Sequence, residues 1–167
     1  KGRWREFTRL AAEHVWALHW DRGVLYAATG PNGKLFAIDS SGKSRVHHDS
    51  DEKHLLSLAP APGGLYVGSG DGAILYRVDS GGGAFAVRDF DGDELRALSV
   101  GPGGVVFAAV NEFDDSRGGS SLSLPPPPKP ASLGDAPMPP APPQAAPRRA
   151  GERPGKGAVF RFTLPGG

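Results

Sequence analysis

The chain has 167 residues, enough for one domain, and it combines 25 glycines and 17 prolines with only 38% hydrophobic and 22% charged residues. Its net charge of +1 gives no global field that would attract nucleic acid or an anionic membrane. It contains no cysteine, which excludes disulfides and thiolate metal sites, and no apolar run approaches the roughly 20 residues of a membrane span.

The chain begins at Lys1 rather than at a methionine, so we expect a piece of a longer protein or a processed product. A signal peptide would then lie outside this sequence. The compartment therefore stays open, an extracytoplasmic one included.

The predicted elements follow one sequence pattern that recurs at a fixed period. A first strand is predicted over 5–10 (REFTRL), and a full unit starts at His14 with HVWALHWDRGVLYAATGPNGKLFAID. The same pattern returns from His54 as HLLSLAPAPGGLYVGSGDGAILYRVD and from Glu94 as ELRALSVGPGGVVFAAV. Residues 5–10 stand two periods before the matching segment FAVRDF, so the repeat also extends backward. Self-similarity at such a period is typical of solenoids and propellers.

Each unit contains four short apolar segments, which in the first unit are VWAL, VLYAAT, KLFAID and SRVHHD. They are rich in branched and aromatic residues and are separated by Gly, Pro, Asn and Asp, as expected of strands and turns. The fourth segment is the most polar, as an outer edge strand should be. We therefore predict an all-β fold of about three four-stranded antiparallel sheets, each a β-propeller blade.

A proline-rich segment interrupts the third unit. Residues 114–156 contain most of the prolines and no aromatic residue, and such a composition predicts disorder because it cannot bury enough apolar surface. The following GAVFRF matches GAILYRVD of the second unit, so we expect the chain to re-enter the third blade there. The predicted organisation is blades over 1–113, a disordered insertion over 114–156 and a return strand over 157–167.

The segment GLYVGSGDGAILYRVD resembles the blades of WD-repeat-like and NHL-like propellers, and the repeats are also similar to those of the gluconolactonase and streptogramin-lyase families. The resemblance covers about 5–113 and 157–164. The first two families imply a binding or scaffolding role. The last two imply a lactonase-like or lyase-like enzyme with a metal at the mouth of the channel.

Three blade equivalents are fewer than the four that usually close a propeller. The chain is then part of a larger propeller, one half of a head-to-tail pair, or an open arc, and the missing methionine favours the first. In each case the terminal blades expose apolar faces, to be covered by a protein partner or by the remaining blades.

The glycine-rich GSGDG raises the question of a phosphate loop. A phosphate loop needs a helix behind its glycines, whereas these glycines precede the strand-like Ala73-Ile74-Leu75-Tyr76. The first unit has Asn-Gly at this place, which favours a hairpin turn.

Two imidazoles and a carboxylate share one repeat position, at the start of the innermost strand: His14, His54 and Glu94. Such residues ring the channel of a propeller, where they would be the candidate ligands of a divalent metal. The alternative is a polar residue at a solvent-facing strand end, with no cofactor at all. We expect His47 and His48 to be solvated and Trp16 to pack between blades.

Acidic loops join the units and lie with the second-to-third strand turns on one face of a propeller. We predict that this face binds a partner through the following residues: Asp49, Asp51, Glu52, Asp89, Asp91, Asp93, Asn111 and Glu112. The function predicted from the sequence is a non-enzymatic binding or scaffold module. The alternative is a metal-dependent propeller enzyme.

Overall fold

The computed structural model describes residues 2–113 and 155–163, in which eleven strands are formed. The strands are β1 (His14–Asp21), β2 (Val24–Gly30), β3 (Lys34–Ile38), β4 (Ser44–Asp49), β5 (Leu55–Ala61), β6 (Gly64–Ser69), β7 (Ile74–Asp79), β8 (Ala84–Asp89), β9 (Glu94–Val100), β10 (Val105–Phe113) and β11 (Gly155–Thr163).

The strands form three antiparallel sheets. Sheet 1 has the order β1-β2-β3-β4, sheet 2 the order β5-β6-β7-β8, and sheet 3 the order β9-β10-β11. A short 3-10 turn at Pro102–Gly104 is the sole helical element of the described part of the chain, and no helix in that part could cross a bilayer. The predicted all-β fold of three antiparallel sheets is confirmed.

Successive sheets pack face to face, with β5 in contact with both β1 and β9. We call the side of a sheet that meets the preceding sheet its leading face, and the opposite side its trailing face. The core between sheets 1 and 2 joins Ala28 and Leu35 of one to Leu55 and Val67 of the other. The core between sheets 2 and 3 is built in the same way around Leu95. Because both faces of sheet 2 are covered at its inner strands, β5 and β6 are almost continuously apolar.

The return strand begins two residues before the predicted boundary. β11 pairs with β10 along its whole length, from Val105 opposite Thr163 to Phe113 opposite Gly155. Gly155 and Lys156, predicted to belong to the disordered insertion, are therefore strand residues that complete the ladder. The rest of that prediction, residues 114–154, lies outside the described residues.

The strand predicted over 5–10 is not formed, because these residues have no neighbouring strand to hydrogen-bond with in the described structure. Instead, Leu10 and Ala12 pack against the leading face of sheet 1, where Ala27, Phe36 and Ile38 are buried. The segment thus covers part of a face that in sheets 2 and 3 is covered by a whole sheet.

β-bulges recur at matching positions. The pairing of the two inner strands shifts after Val15 in sheet 1 and after Leu55 in sheet 2. The outer pair shifts as well, and in sheet 1 the extra residue is His47. A bulge turns the residues beyond it toward the other face of the sheet.

Candidate functional site

Loops of sheets 1 and 2 and strand ends of sheet 3 lie at one common edge, because the chain reverses there between antiparallel strands. We call this edge the loop face. It comprises the turns 31–33 and 70–73, the connections 50–54 and 90–93 between sheets, and the ends of β10 and β11. The GSGDG stretch forms the second of these turns, between β6 and β7, and the prediction of a hairpin turn is confirmed.

Repeated main-chain hydrogen bonds hold the loop face. The amide of Gly33 donates to the carbonyl of Lys53 over 2.8 Å, and the amide of Gly72 donates to the carbonyl of Asp93 over 3.1 Å. Lys53 and Asp93 occupy the same position in successive units, so the same link ties a turn to the connection that follows its sheet. The amide of Asp93 also donates to the carbonyl of Asn111 over 2.8 Å, which joins sheet 3 to this network. Loops tied in this way are held in place before any partner arrives.

The loop face and its strand ends are rich in carboxylates. They carry Asp49, Asp51, Glu52, Asp71, Asp89, Asp91, Asp93, Glu94 and Glu112, against Lys34, Lys53, Arg88 and Lys156. Two of the lysines are engaged, since Lys34 lies 2.8 Å from Asp49 and Lys53 lies 3.8 Å from Asp71.

Four carboxylates are exposed and make no ion pair with another described residue: Asp51, Asp89, Asp91 and Glu112. The surface they form is therefore negative.

Besides Asp49, which pairs with Lys34, three residues of the predicted binding set are held by contacts or burial within the fold. Glu52 accepts a hydrogen bond from the hydroxyl of Tyr76 over 3.0 Å. Burial of the phenol and this bond to Glu52 raise the pKa of Tyr76 to about 12. The carboxylate of Asp93 accepts a hydrogen bond from the amide of Phe113, and Asn111 is half-buried. These groups hold the loops in place.

An aromatic cluster lies at the start of the innermost strands. The ring of Trp16 is 5.0 Å from that of His14 and 5.7 Å from that of His54, which belongs to the next sheet. Trp16 thus packs between sheets, as predicted, while 38% of it stays exposed. The structure allows no side chain at Gly30, because a Cβ there would lie 2.1 Å from His54 Nδ1. That nitrogen is buried and has no hydrogen-bond partner in the described structure.

The predicted metal ligands are only partly brought together. His14 and His54 both lie against Trp16, while the backbone of Glu94 forms an isolated bridge with Gly70, whose amide donates to the carbonyl of His54 over 2.9 Å. Within residues 2–113 and 155–163, no group of three His, Cys, Asp or Glu side chains is placed to hold a metal ion. We therefore build no metal chemistry on these three residues.

The prediction that His47 and His48 are solvated is wrong. His47 is 8% exposed, and its Nε2 donates to the carbonyl of Asp79 in sheet 2 over 3.1 Å. His48 Nδ1 donates to the carbonyl of Gly82 over 3.0 Å. The bulge at His47 is the physical reason, because it breaks the alternation on which the prediction rests. Both rings tie β4 to the β7–β8 turn, at the outer rim of the sheets rather than at the loop face.

Sequence reasoning also missed Tyr76 as the partner of Glu52. The signal for it is present in the repeat, since Phe36 and Phe160 stand at the positions that match Tyr76 and carry no hydroxyl. A polar group gained at a repeat position indicates a local contact that the other units lack.

Comparisons with known proteins leave the chain without an assigned family. No protein-family model matches it, and no curated protein sequence matches it.

Proposed function

We propose that the three sheets are blades of a β-propeller and that the chain acts as a non-enzymatic binding module, which recognises a basic segment of a partner protein at its loop face. The observation that carries the proposal is one hydrogen-bonded edge where loops of sheets 1 and 2 meet strand ends of sheet 3, with exposed carboxylates that pair with no described residue. Loops held by a rigid scaffold are the usual place for recognition.

Two features support a protein partner. Exposed carboxylates attract and orient a basic segment, which raises the association rate and disfavours acidic competitors. The half-exposed Trp16 beside His14 offers an aromatic anchor of the kind that dominates binding energy in protein interfaces. The loop face therefore combines an aromatic side chain with a negatively charged surface.

The experiment is a selection from a random peptide display library against the whole chain. We expect enrichment of peptides that contain Lys or Arg together with an aromatic or aliphatic residue. Their binding should weaken about tenfold or more in the triple variant Asp51→Asn, Asp91→Asn, Glu112→Gln, and should fall steeply with salt.

The matched control is Asp21→Asn, which removes a carboxylate from the opposite edge of sheet 1, where Asp21 pairs with Arg22. Binding should be unchanged in this variant. Selected peptides that bind both variants like the wild type, or that carry no basic residues, would contradict the proposal.

A further inference from the structure

Within residues 2–113 and 155–163, sheet 3 ends in an unpaired edge. In sheets 1 and 2 the third strand is flanked by a fourth, β4 or β8, whereas in the described part of sheet 3 the third strand, β11, is the last. All nine residues of β11 are exposed. A strand with a free row of amides and carbonyls is a template for pairing with another chain.

The leading face of sheet 1 is only partly covered. Val15, Leu55 and Leu95 occupy one repeat position on β1, β5 and β9, and they are 50%, 1% and 0% exposed. Leu18 of the same face is 61% exposed. The position is buried where a preceding sheet exists and open where only residues 2–13 precede it.

The trailing face of sheet 3, at the other end of the series of sheets, is also exposed. Phe107 of sheet 3 matches Tyr66 of sheet 2. Phe107 pairs with the residue after Leu98 and Tyr66 with the residue after Leu58, and these two leucines are one repeat period apart. Phe107 is 39% exposed and Tyr66 is 1% exposed. Val159 matches Leu75 in the ladder, and these two are 75% and 1% exposed. In sheet 2 both positions are buried against the leading face of the sheet that follows.

The segment before β1 keeps the position of an outer strand. Gly42 and Gly82 lie in matching turns, and a Cβ on Gly82 would lie 2.0 Å from the carbonyl oxygen of His47 in β4. A Cβ on Gly42 would lie 2.7 Å from the carbonyl oxygen of Phe7. Phe7 stands one repeat period before His47, so residues 5–10 occupy the place of a β4-type strand that belongs to a preceding sheet.

Among the described residues there is thus a sheet without its fourth strand and, in the same register, a segment at the place of a fourth strand that has no sheet of its own. We propose that a second copy of this chain supplies both: its residues 5–10 pair with the free edge of β11, and its Val15 and Leu18 pack on Phe107 and Val159. The interface is head-to-tail, and it repeats the packing by which sheet 2 joins sheet 3. A second copy fits better than an unrelated partner because it brings the missing strand and the matching apolar face together.

The first measurement is the mass of the whole chain in solution by sedimentation velocity. We expect a species of at least twice the chain mass of 17.4 kDa. Leu18→Glu on the leading face and Val159→Glu on the trailing face should each weaken association about tenfold or more, since each puts a charge into the interface. Phe107→Ser offers a second change to the trailing face.

The matched control is Phe85→Glu. Phe85 is 54% exposed and lies in sheet 2, under the guanidinium of Arg77, outside both terminal faces. Its substitution should leave the associated mass unchanged.

A mixing experiment separates a head-to-tail interface from any other. Leu18→Glu and Val159→Glu should each associate more weakly than the wild type when alone, yet an equimolar mixture should associate more strongly than either, because the intact trailing face of one variant meets the intact leading face of the other. A wild-type chain that stays at 17.4 kDa at about 100 μM would overturn the proposal. So would an associated wild type whose two variants fail to complement each other.

Discussion

His47 in sheet 1 donates a hydrogen bond from Nε2 to the main-chain carbonyl of Asp79 in sheet 2, 3.1 Å away. The other ring nitrogen lies 3.4 Å from the guanidinium of Arg45, which can only donate, so Nδ1 is the acceptor. The ring is therefore held neutral, with a partner on each nitrogen. This contact fastens the outer rims of two sheets whose inner strands are already packed together.

Removing the His47 ring should cost about 1 kcal/mol of unfolding free energy, because His47→Ala removes one of two hydrogen bonds that the Asp79 carbonyl accepts, the other coming from the Gly82 amide. Urea unfolding followed by circular dichroism measures the loss. His19→Ala is the control, since in the described structure the His19 side chain makes no hydrogen bond. Equal losses in the two variants would argue against the tie between sheets.

Stability should fall in acid through the same residue. Desolvation, followed by the charge of Arg45, lowers the pKa of His47 below its ordinary 6.5, against the favourable effect of the Asp79 carbonyl, while Tyr26 and His48 also border the ring. The unfolded chain then binds the proton more tightly than the folded one. The contribution of His47 to the free energy of unfolding is complete above pH 6.5. It is lost as the pH falls below that value toward the lowered pKa of the folded state.

The measurement is the urea midpoint at a series of pH values through this window. His47→Gln keeps an amide donor but cannot titrate, so its midpoint should fall less steeply in acid than that of the wild type. Parallel curves for the two proteins would show that another group is responsible.

Two tyrosines test the assigned hydroxyl contacts. Tyr76→Phe removes the bond to Glu52 and should destabilise the fold by about 1 kcal/mol. Tyr66→Phe removes a buried hydroxyl for which the described residues supply no partner, and it should be neutral or stabilising. Thermal or urea unfolding of both variants measures the two changes in stability. A larger loss in Tyr66→Phe than in Tyr76→Phe would contradict these contacts.

Two glycines separate backbone strain from steric overlap. Gly103 has φ +71 with no atom within 4 Å of the place that a Cβ would take, whereas Gly82 has φ +92 and faces the His47 carbonyl. Gly103→Ala should cost about 1 kcal/mol from the positive φ alone. Gly82→Ala should cost clearly more, because its methyl group must displace β4, and equal costs would mean that β4 is not held against this turn.

Much of the fold could be predicted from the sequence because the repeat carries its own alignment. Asp39 and Asp79 occupy the same repeat position, and each accepts main-chain hydrogen bonds that close the turn after it. Strand bounds and sheet membership follow from such landmarks. The loop face also followed, since the alternation of strand ends requires it.

The predictions that were wrong depended on features that residue types alone do not show. A bulge adds one residue to a strand and reverses the face on which the following residues lie. His47 therefore contacts sheet 2 instead of solvent, and the residue types around it do not predict that shift. The segment 5–10 has the composition of a strand, but a strand also needs a neighbour. At the loop face, Glu52 and Asp93 look equivalent to Asp51 and Asp91 in sequence, and only their contacts with Tyr76 and Phe113 distinguish them.

The packing of three register-matched sheets, with β11 returning to the third, is tested most directly by nuclear Overhauser contacts between Phe90 and Phe160. Phe90 lies in the connection from sheet 2 to sheet 3, Phe160 lies in β11, and their ring centroids are 4.8 Å apart. We expect strong contacts between the two rings and shifted resonances for Phe160. No contact between them, with Phe160 at the chemical shifts of an unstructured chain, would contradict this packing.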